Sequence, residues 1–167
     1  MGITFDGNYD QKNQLIAYTD SNYAACPDTR KSTSGIVLML NNGPVIWSSR
    51  KQSIIATSTT DAEYIAMSEA AKEVVWTRRL LNELGIHQEK ATVLYCDNAA
   101  AKLLVENPVY HRRTKHVDIK FHYTREQTKN GSIEVKHIEN CNQLADIFIK
   151  NLPRDKLKVN RLRLNLM

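Results

Sequence analysis

The sequence predicts an α/β fold, a mixed five-stranded sheet of three antiparallel strands followed by parallel ones, flanked by helices. Three observations carry this. Short apolar runs come first, at residues 15–20, 36–40 and 45–49, with the turn-forming Asn41-Asn42-Gly43-Pro44 between the second and third. A long stretch with apolar residues at helical spacing follows: Ala62, Ile65, Ala66, Ala70, Val74, Leu81 and Leu84. Strand-like and helix-like segments then alternate to the end of the chain. Strands followed by such alternation argue for a mixed sheet covered by helices.

Each element has a local reason. The first three runs read as a meander of adjacent strands, and residues 54–57 either extend it or lead into the helix. Thr60-Asp61-Ala62-Glu63 has the form of a capping box, and Gly85 stops the helix it opens. Residues 92–96 form a β-rich run, and residues 98–107 are helical until Pro108. Residues 114–129 read as a charged helix, 133–138 as the last strand, and 144–150 as the start of a terminal helix. Asn130-Gly131 before the last strand is a turn rather than a glycosylation signal. Trp47 and Trp76 are expected in the core.

The chain has 167 residues, enough for one domain with a proper core. No repeat or linker divides it. The expected organisation is an N-terminal extension (1–14), one domain (15–152) and a basic C-terminal helix or tail (153–167). With 42% hydrophobic and 25% charged residues, the composition is neither disordered nor membrane-like. No apolar run has the length of a membrane span, no signal sequence is expected at the N-terminus, and Asp6 breaks a myristoylation motif. Cys26, Cys96 and Cys141 are odd in number and scattered, which fits neither a disulfide framework nor a zinc site and favours a reducing, intracellular setting. The net charge of +5 is uneven: residues 1–109 hold 10 Lys/Arg against 12 Asp/Glu, and residues 110–167 hold 13 against 6. An acidic half suited to metal thus precedes a basic half suited to phosphate, although a solvated cationic face has the same composition.

Four acids stand at element ends: Asp20 in IAYTDSNYA, Glu63 in STTDAEYIA, Asp97 in VLYCDNAAA and Asp146 in NQLADIFIK. Taken singly, each has an ordinary explanation. Asp20 caps a turn, Glu63 completes the capping box, Asp97 caps the next helix, and Asp146 complements the positive end of the last one. Their joint pattern is harder to explain that way. Asp20 and Asp97 both close apolar strands, and in a sheet where those strands are neighbours the two ends lie side by side. Glu63 and Asp146, each near a helix start, reach the same edge. Four carboxylates gathered without cations repel, and hard oxygen ligands in that number suit Mg²⁺ or Mn²⁺. Two such ions, about 3.5–4 Å apart, drive phosphodiester hydrolysis.

Five blocks, TDSNYAACPDTRKSTSG, VIWSSRKQSIIATSTTDAEYIA, YCDNAAAKLLVENP, RRTKHVDIKFHYTRE and NQLADIFIKNLP, resemble in order the ribonuclease H domain of copia-type LTR retrotransposon Pol polyproteins. The resemblance covers residues 15–153. It implies a ribonuclease H-like fold, cleavage of the RNA strand of RNA–DNA hybrids during reverse transcription, and two bound Mg²⁺ ions, with Mn²⁺ as a substitute. It maps the catalytic and metal-holding acids onto Asp20, Glu63, Asp97 and Asp146, so that none is missing. Asp20 is expected to bridge both ions, Glu63 and Asp97 to hold the one facing the leaving group, and Asp146 the one facing the attacking water. The implied partners are the hybrid and the reverse transcriptase domain of the same polyprotein, with no membrane. The implied setting is cytoplasmic, in a virus-like particle, with the nucleus as a second compartment. Three departures stand out: Ile149 where Thr is usual, Asp61 where Glu is usual, and Tyr23 for a frequent Trp.

Nucleic-acid contacts are expected from Arg30, Lys31, Ser32 and Thr33 in one polar loop, and from Arg112, Arg113, Lys115, His116 and Arg125 along a basic helix. A polar loop and a solvated helix have equal claim to those residues. Some ribonucleases H use a histidine near the fourth acid for product release. His137 is the candidate here, against a plain structural role in its strand. The competing function is a domesticated, catalytically weak module of the same fold that binds nucleic acid or protein. A transposase or integrase of that fold is a third reading, against which the five blocks speak.

Overall fold

The structure, a computed structural model, describes residues 2–5, 13–106 and 115–167, the side chains of residues 106 and 115–121 excepted. Strands β1 (Ile16–Asn22), β2 (Thr33–Leu40) and β3 (Gly43–Lys51) form the expected meander. Helix α1 (Thr59–Glu83), strand β4 (Thr92–Cys96), helices α2 (Ala99–Glu106) and α3 (Lys115–Lys129) and strand β5 (Ile133–His137) follow. Two short 3-10 helices, Asn140–Asn142 and Leu144–Phe148, lead to helix α4 (Arg154–Arg163). The sheet order is β3-β2-β1-β4-β5, antiparallel between β3, β2 and β1 and parallel from β1 to β4 and β5.

The two faces of the sheet are read directly from β2. Alternate residues of a strand point to opposite faces. Ile36 and Leu38 join the larger core with Leu15, Ala17, Leu94, Tyr64, Met67 and Val74, under α1. Val37 and Met39 join a second core with Leu144 and Leu164, under the 3-10 helix and the C-terminal stretch. This strand is therefore covered on both sides, which is why it reads as a continuous apolar run rather than an alternating one. Residues 54–57 lead into α1 and do not extend the sheet. The C-terminal residues form α4 with Asn160 buried, its C-cap Leu164 is buried too, and Ile3 pairs with Leu166 beyond it.

Three local expectations are corrected. The N-cap of α1 is Ser58, whose Oγ accepts from Asp61 N at 3.1 Å, while the Asp61 carboxylate accepts from Thr57 N at 3.3 Å. The cap lies two residues earlier than Thr60, so Asp61 closes it and Glu63 has no part in it. Residues 144–150 do not begin the terminal helix. Leu144–Phe148 form a separate 3-10 helix, and α4 starts only after its N-cap, Pro153. Trp47 and Trp76 are 55% and 56% exposed, so neither is a core residue. No helix among the described residues is long and apolar enough to cross a membrane.

Candidate active site

The strand register brings the first two acids together. Ile16, Ala17 and Tyr18 pair in parallel with Val93, Leu94 and Tyr95. Continuing that register two residues places Asp20 beside Asp97, at the carboxyl ends of the two central parallel strands. This is where open α/β sheets gather their ligands. Asp97 is free to face the site because its neighbour does the capping: Asn98 Oδ1 accepts from Ala101 N at 3.0 Å.

Glu63 enters from the first turns of α1. Ser21, next to Asp20, fixes it by two hydrogen bonds to Oε1, from Oγ at 2.8 Å and from the backbone N at 3.2 Å. Ser21 N also donates to Asp20 Oδ1 at 2.7 Å. Asp146 comes from the 3-10 helix on the other face of β1 and β2. Gln143 docks that helix, its Nε2 donating to Thr19 O at 2.9 Å and its Oε1 accepting from Ala145 N at 3.1 Å. Asn22 Nδ2 adds a bond to Ile149 O at 3.2 Å. Ile149, the unusual residue beside this acid, is buried with its Cγ2 over Gly35.

The four acids form one electrostatic unit. Burial, the neighbouring Asp146 carboxyl and the charges of Glu63 and Asp97 push Asp20 up to about 9. Burial, with the charge of Asp97, raises Glu63 to about 7 against the opposing Ser21 bonds. Asp97 is also raised, by burial and by Asp146, with Lys150 and His137 pulling the other way. Asp146 is the exception. Burial alone would raise it, but hydrogen bonds from the Asp20 carboxyl, Lys150 and Lys156 hold it low. Lys150 Nζ lies 2.6 Å from Asp146 Oδ1, and Lys156 Nζ binds Oδ2.

The donor set fits hard divalent cations. Asp20 is 3% exposed, and its Oδ2 accepts from no N–H or hydroxyl among the described residues, so this carboxylate oxygen is buried among other carboxylates with no donor of its own. Ligand atoms of Glu63, Cys96 and Asp97 all lie within 4.8 Å of one another. A carboxylate oxygen in that position is destabilised unless protonated or bound to a cation.

The expected nucleic-acid contacts divide. Thr33 pairs with Asn22 two residues beyond Asp20, so the loop at 30–33 lies at the acid end of the sheet. Within it Arg30 is exposed and Lys31 and Thr33 half-buried. Ser32 is fully buried, its Oγ accepting from Ala24 N at 3.0 Å, and offers nothing to a phosphate. Arg125 is turned onto its own fold, Nε and Nη2 donating to Leu104 O at 3.2 and 2.8 Å, and so ties α3 to α2. Arg112 and Arg113 lie outside the described residues, and of Lys115 and His116 only the helical backbone is described. His137 is exposed at the end of β5, its Nε2 3.0 Å from Asp97 O, beside the site rather than in the core. Sequence reasoning missed Ser21, Gln143, Lys150 and Lys156. Only Lys150 carried a signal, being four residues after an acid expected at a helix start.

The sheet order, the crossing helix and the convergent acids define a ribonuclease H-like domain. The fold superposes on a ribonuclease H1 solved with an RNA/DNA hybrid, LC11-RNase H1, with a TM-score of 0.58 over 81% of this chain and 94% of that one at 18% identity. It also superposes on a foamy viral protease-reverse transcriptase in complex with an RNA/DNA hybrid, with a TM-score of 0.58 over 89% of this chain and 21% of that one at 15% identity. In sequence, the chain's homologues are retrovirus-related Pol polyproteins of copia-type transposons. It is 42% identical over 145 residues to that of transposon TNT 1-94 from Nicotiana tabacum, covering 87% of this chain and 11% of the relative. It is 41% identical over 140 residues to that of transposon RE1 from Arabidopsis thaliana, covering 84% and 10%. The chain thus spans about a tenth of the length of these relatives. No family model matches it.

Proposed function

We propose that the chain is the nuclease segment of a copia-type retrotransposon Pol polyprotein and hydrolyses the RNA strand of RNA–DNA hybrids. One observation carries the reading: four carboxylates from four separate stretches of chain converge at one end of the sheet, with a buried Asp20 oxygen that no donor satisfies. The homologous polyproteins, and the hybrid-bound ribonuclease H1 and protease-reverse transcriptase that share the fold, support it.

Asp20, Glu63, Asp97 and Asp146 are the residues that would hold two Mg²⁺ ions, with Mn²⁺ able to replace them. Bound there, the ions supply an activated water and a charge partner for the leaving oxygen. The protein's own part is positioning. Ser21 holds the Glu63 carboxylate toward Asp97 and Asp20. Gln143 fixes the 3-10 helix that carries Asp146. No side-chain nucleophile is needed. Arg30, Lys31 and Thr33 lie where they can meet the phosphate backbone, and recognition rests on hybrid shape and 2′-hydroxyls rather than base edges. His137, beside Asp97, is the candidate for helping product leave. The reverse transcriptase segment of the same polyprotein is the proposed partner and would supply much of the grip on substrate.

The test is cleavage of a labelled RNA–DNA hybrid by the isolated chain with Mg²⁺, with single-stranded RNA and duplex DNA as controls. Cuts confined to the RNA of the hybrid are expected. Hybrid binding without cleavage would instead identify a non-catalytic binding module.

A further inference from the structure

The proposed nuclease chemistry gives no role to the two lysines that bind Asp146, and they are unlike the cations elsewhere on the surface. Among the described residues, two ammonium groups converge on one carboxylate. Lys150 Nζ is 2.6 Å from Oδ1 and Lys156 Nζ is bonded to Oδ2. Asp146 itself has a fully buried side chain, so both lysines reach into the site to meet it. They come from different places, Lys150 from the segment just after the 3-10 helix and Lys156 from the first turn of α4, and Lys156 also lies 3.4 Å from Asn140 Oδ1. The pairing is therefore built from two elements. The charges of Asp20 and Asp97 act on Lys150 as well, so its ammonium is a counter-cation for the cluster and not for Asp146 alone.

The charge distribution is lopsided as a result. Among the described residues no ammonium is paired with Glu63, Asp97 or Asp20, whereas each oxygen of Asp146 has one beside it. A divalent ion arriving between Asp20, Glu63 and Asp97 meets negative charge. One arriving at Asp146 meets two positive charges first and has to displace at least one of them. The lysine side chains are 39% and 32% exposed, so each has an open route outward when it is displaced.

We propose that Lys150 and Lys156 are built-in counter-cations of Asp146 that weaken its hold on the second divalent ion. This rests on the metal-dependent nuclease reading above and adds two positioning residues to it. It makes the two ions unequal: the one on the Glu63–Asp97 side binds well on its own, and the one on the Asp146 side binds weakly while both lysines stay in place.

The experiment is a calorimetric titration of the chain with Mn²⁺, with no substrate present. In Lys150→Met/Lys156→Met the second ion is expected to bind at least tenfold more tightly than in the parent, while the first changes less than threefold. Lys150→Arg/Lys156→Arg keeps both charges and is expected to stay within threefold of the parent at both ions. A second-ion affinity that is unchanged or weaker in the methionine pair overturns the proposal. If that pair does not fold by circular dichroism, Lys156→Gln alone is titrated. A second ion at least threefold tighter is then expected, and no change overturns the proposal. A parent chain that takes up no Mn²⁺ at all would overturn the nuclease reading and this one with it. Uptake that ignores the lysines overturns this one alone.

Discussion

Asp97 and Glu63 both occupy positions where a carboxylate usually serves the backbone, and in both cases a neighbour has taken over that duty. Asn98 caps α2, and Ser58 with Asp61 caps α1. What is left to the two acids is the site. Asp97→Asn keeps the shape and removes the charge, so it is expected to abolish hybrid cleavage while the melting temperature holds or rises, since a half-buried repelling carboxylate is lost. Cleavage at the parental rate would show that Asp97 is not part of the machinery. Ser58→Ala is the complementary control. It removes a cap that bonds to Asp61 N and to none of the four acids, and is expected to cost about 1 kcal/mol of stability, roughly 2–4 °C in a domain of this size, with kcat unchanged. At this scale the sequence was informative about which residues matter and poor on why. The four acids were legible because two end apolar strands and two stand near expected helix starts. The capping register was not, because Ser58-Thr59-Thr60-Asp61 offers several adjacent caps, and only the packed start of the helix chooses among them.

The element that most shapes the site is also the one least visible in the sequence. Residues 144–150 have the apolar spacing of a helix start, but the segment has to lie flat on β2 while holding Asp146 toward β1, and a tight 3-10 helix does this in five residues. Gly35 makes the approach close enough. A Cβ there would lie 2.6 Å from Ile149 Cγ2, 2.9 Å from Ala145 O and 3.1 Å from Phe148 Cβ. The carbonyl cannot move unless the whole segment does. Gly35→Ala is therefore expected to cost about 1–3 kcal/mol through overpacking and to lower kcat more than stability alone explains, by roughly tenfold to a hundredfold, because Asp146 moves with its helix. Single-turnover cleavage at saturating hybrid, beside a denaturant melt, separates the two effects. A variant that loses stability yet cleaves at the parental rate would show that the segment can shift without disturbing the site. β2 and α1, by contrast, were legible from pattern alone, since a run buried on both faces and a long amphipathic repeat each have one easy solution.

At the scale of the molecule, the site sets the fold against itself. Unfolded, Asp20 and Glu63 ionise near 3.8 and 4.5, whereas folded they hold their protons to about 9 and about 7. A carboxyl whose folded pKa is raised stabilises the fold at low pH, and that contribution is lost as pH climbs from the unfolded value to the folded one. Asp146 moves the opposite way, but its contribution is lost only as pH falls below its ordinary value of 3.8, outside this window. Without divalent ions, the melting temperature is therefore expected to fall between about pH 4 and pH 9, at a slope of up to about 1.4 kcal/mol per pH unit for each carboxyl that is ionised in the unfolded chain and protonated in the folded one. Divalent cations held by the ionised carboxylates of the folded chain, as proposed, would add stability where protons no longer do. Melts in Mg²⁺ should flatten the slope, with a stabilisation that grows from pH 5 to pH 8, and Asp20→Asn should lose most of both effects because it removes the carboxyl that the other three press upon. Melting curves that superpose with and without Mg²⁺ at pH 8 would mean that the fold tolerates its four carboxylates by some means other than cations, and the case for a metal-dependent nuclease would fall with that result.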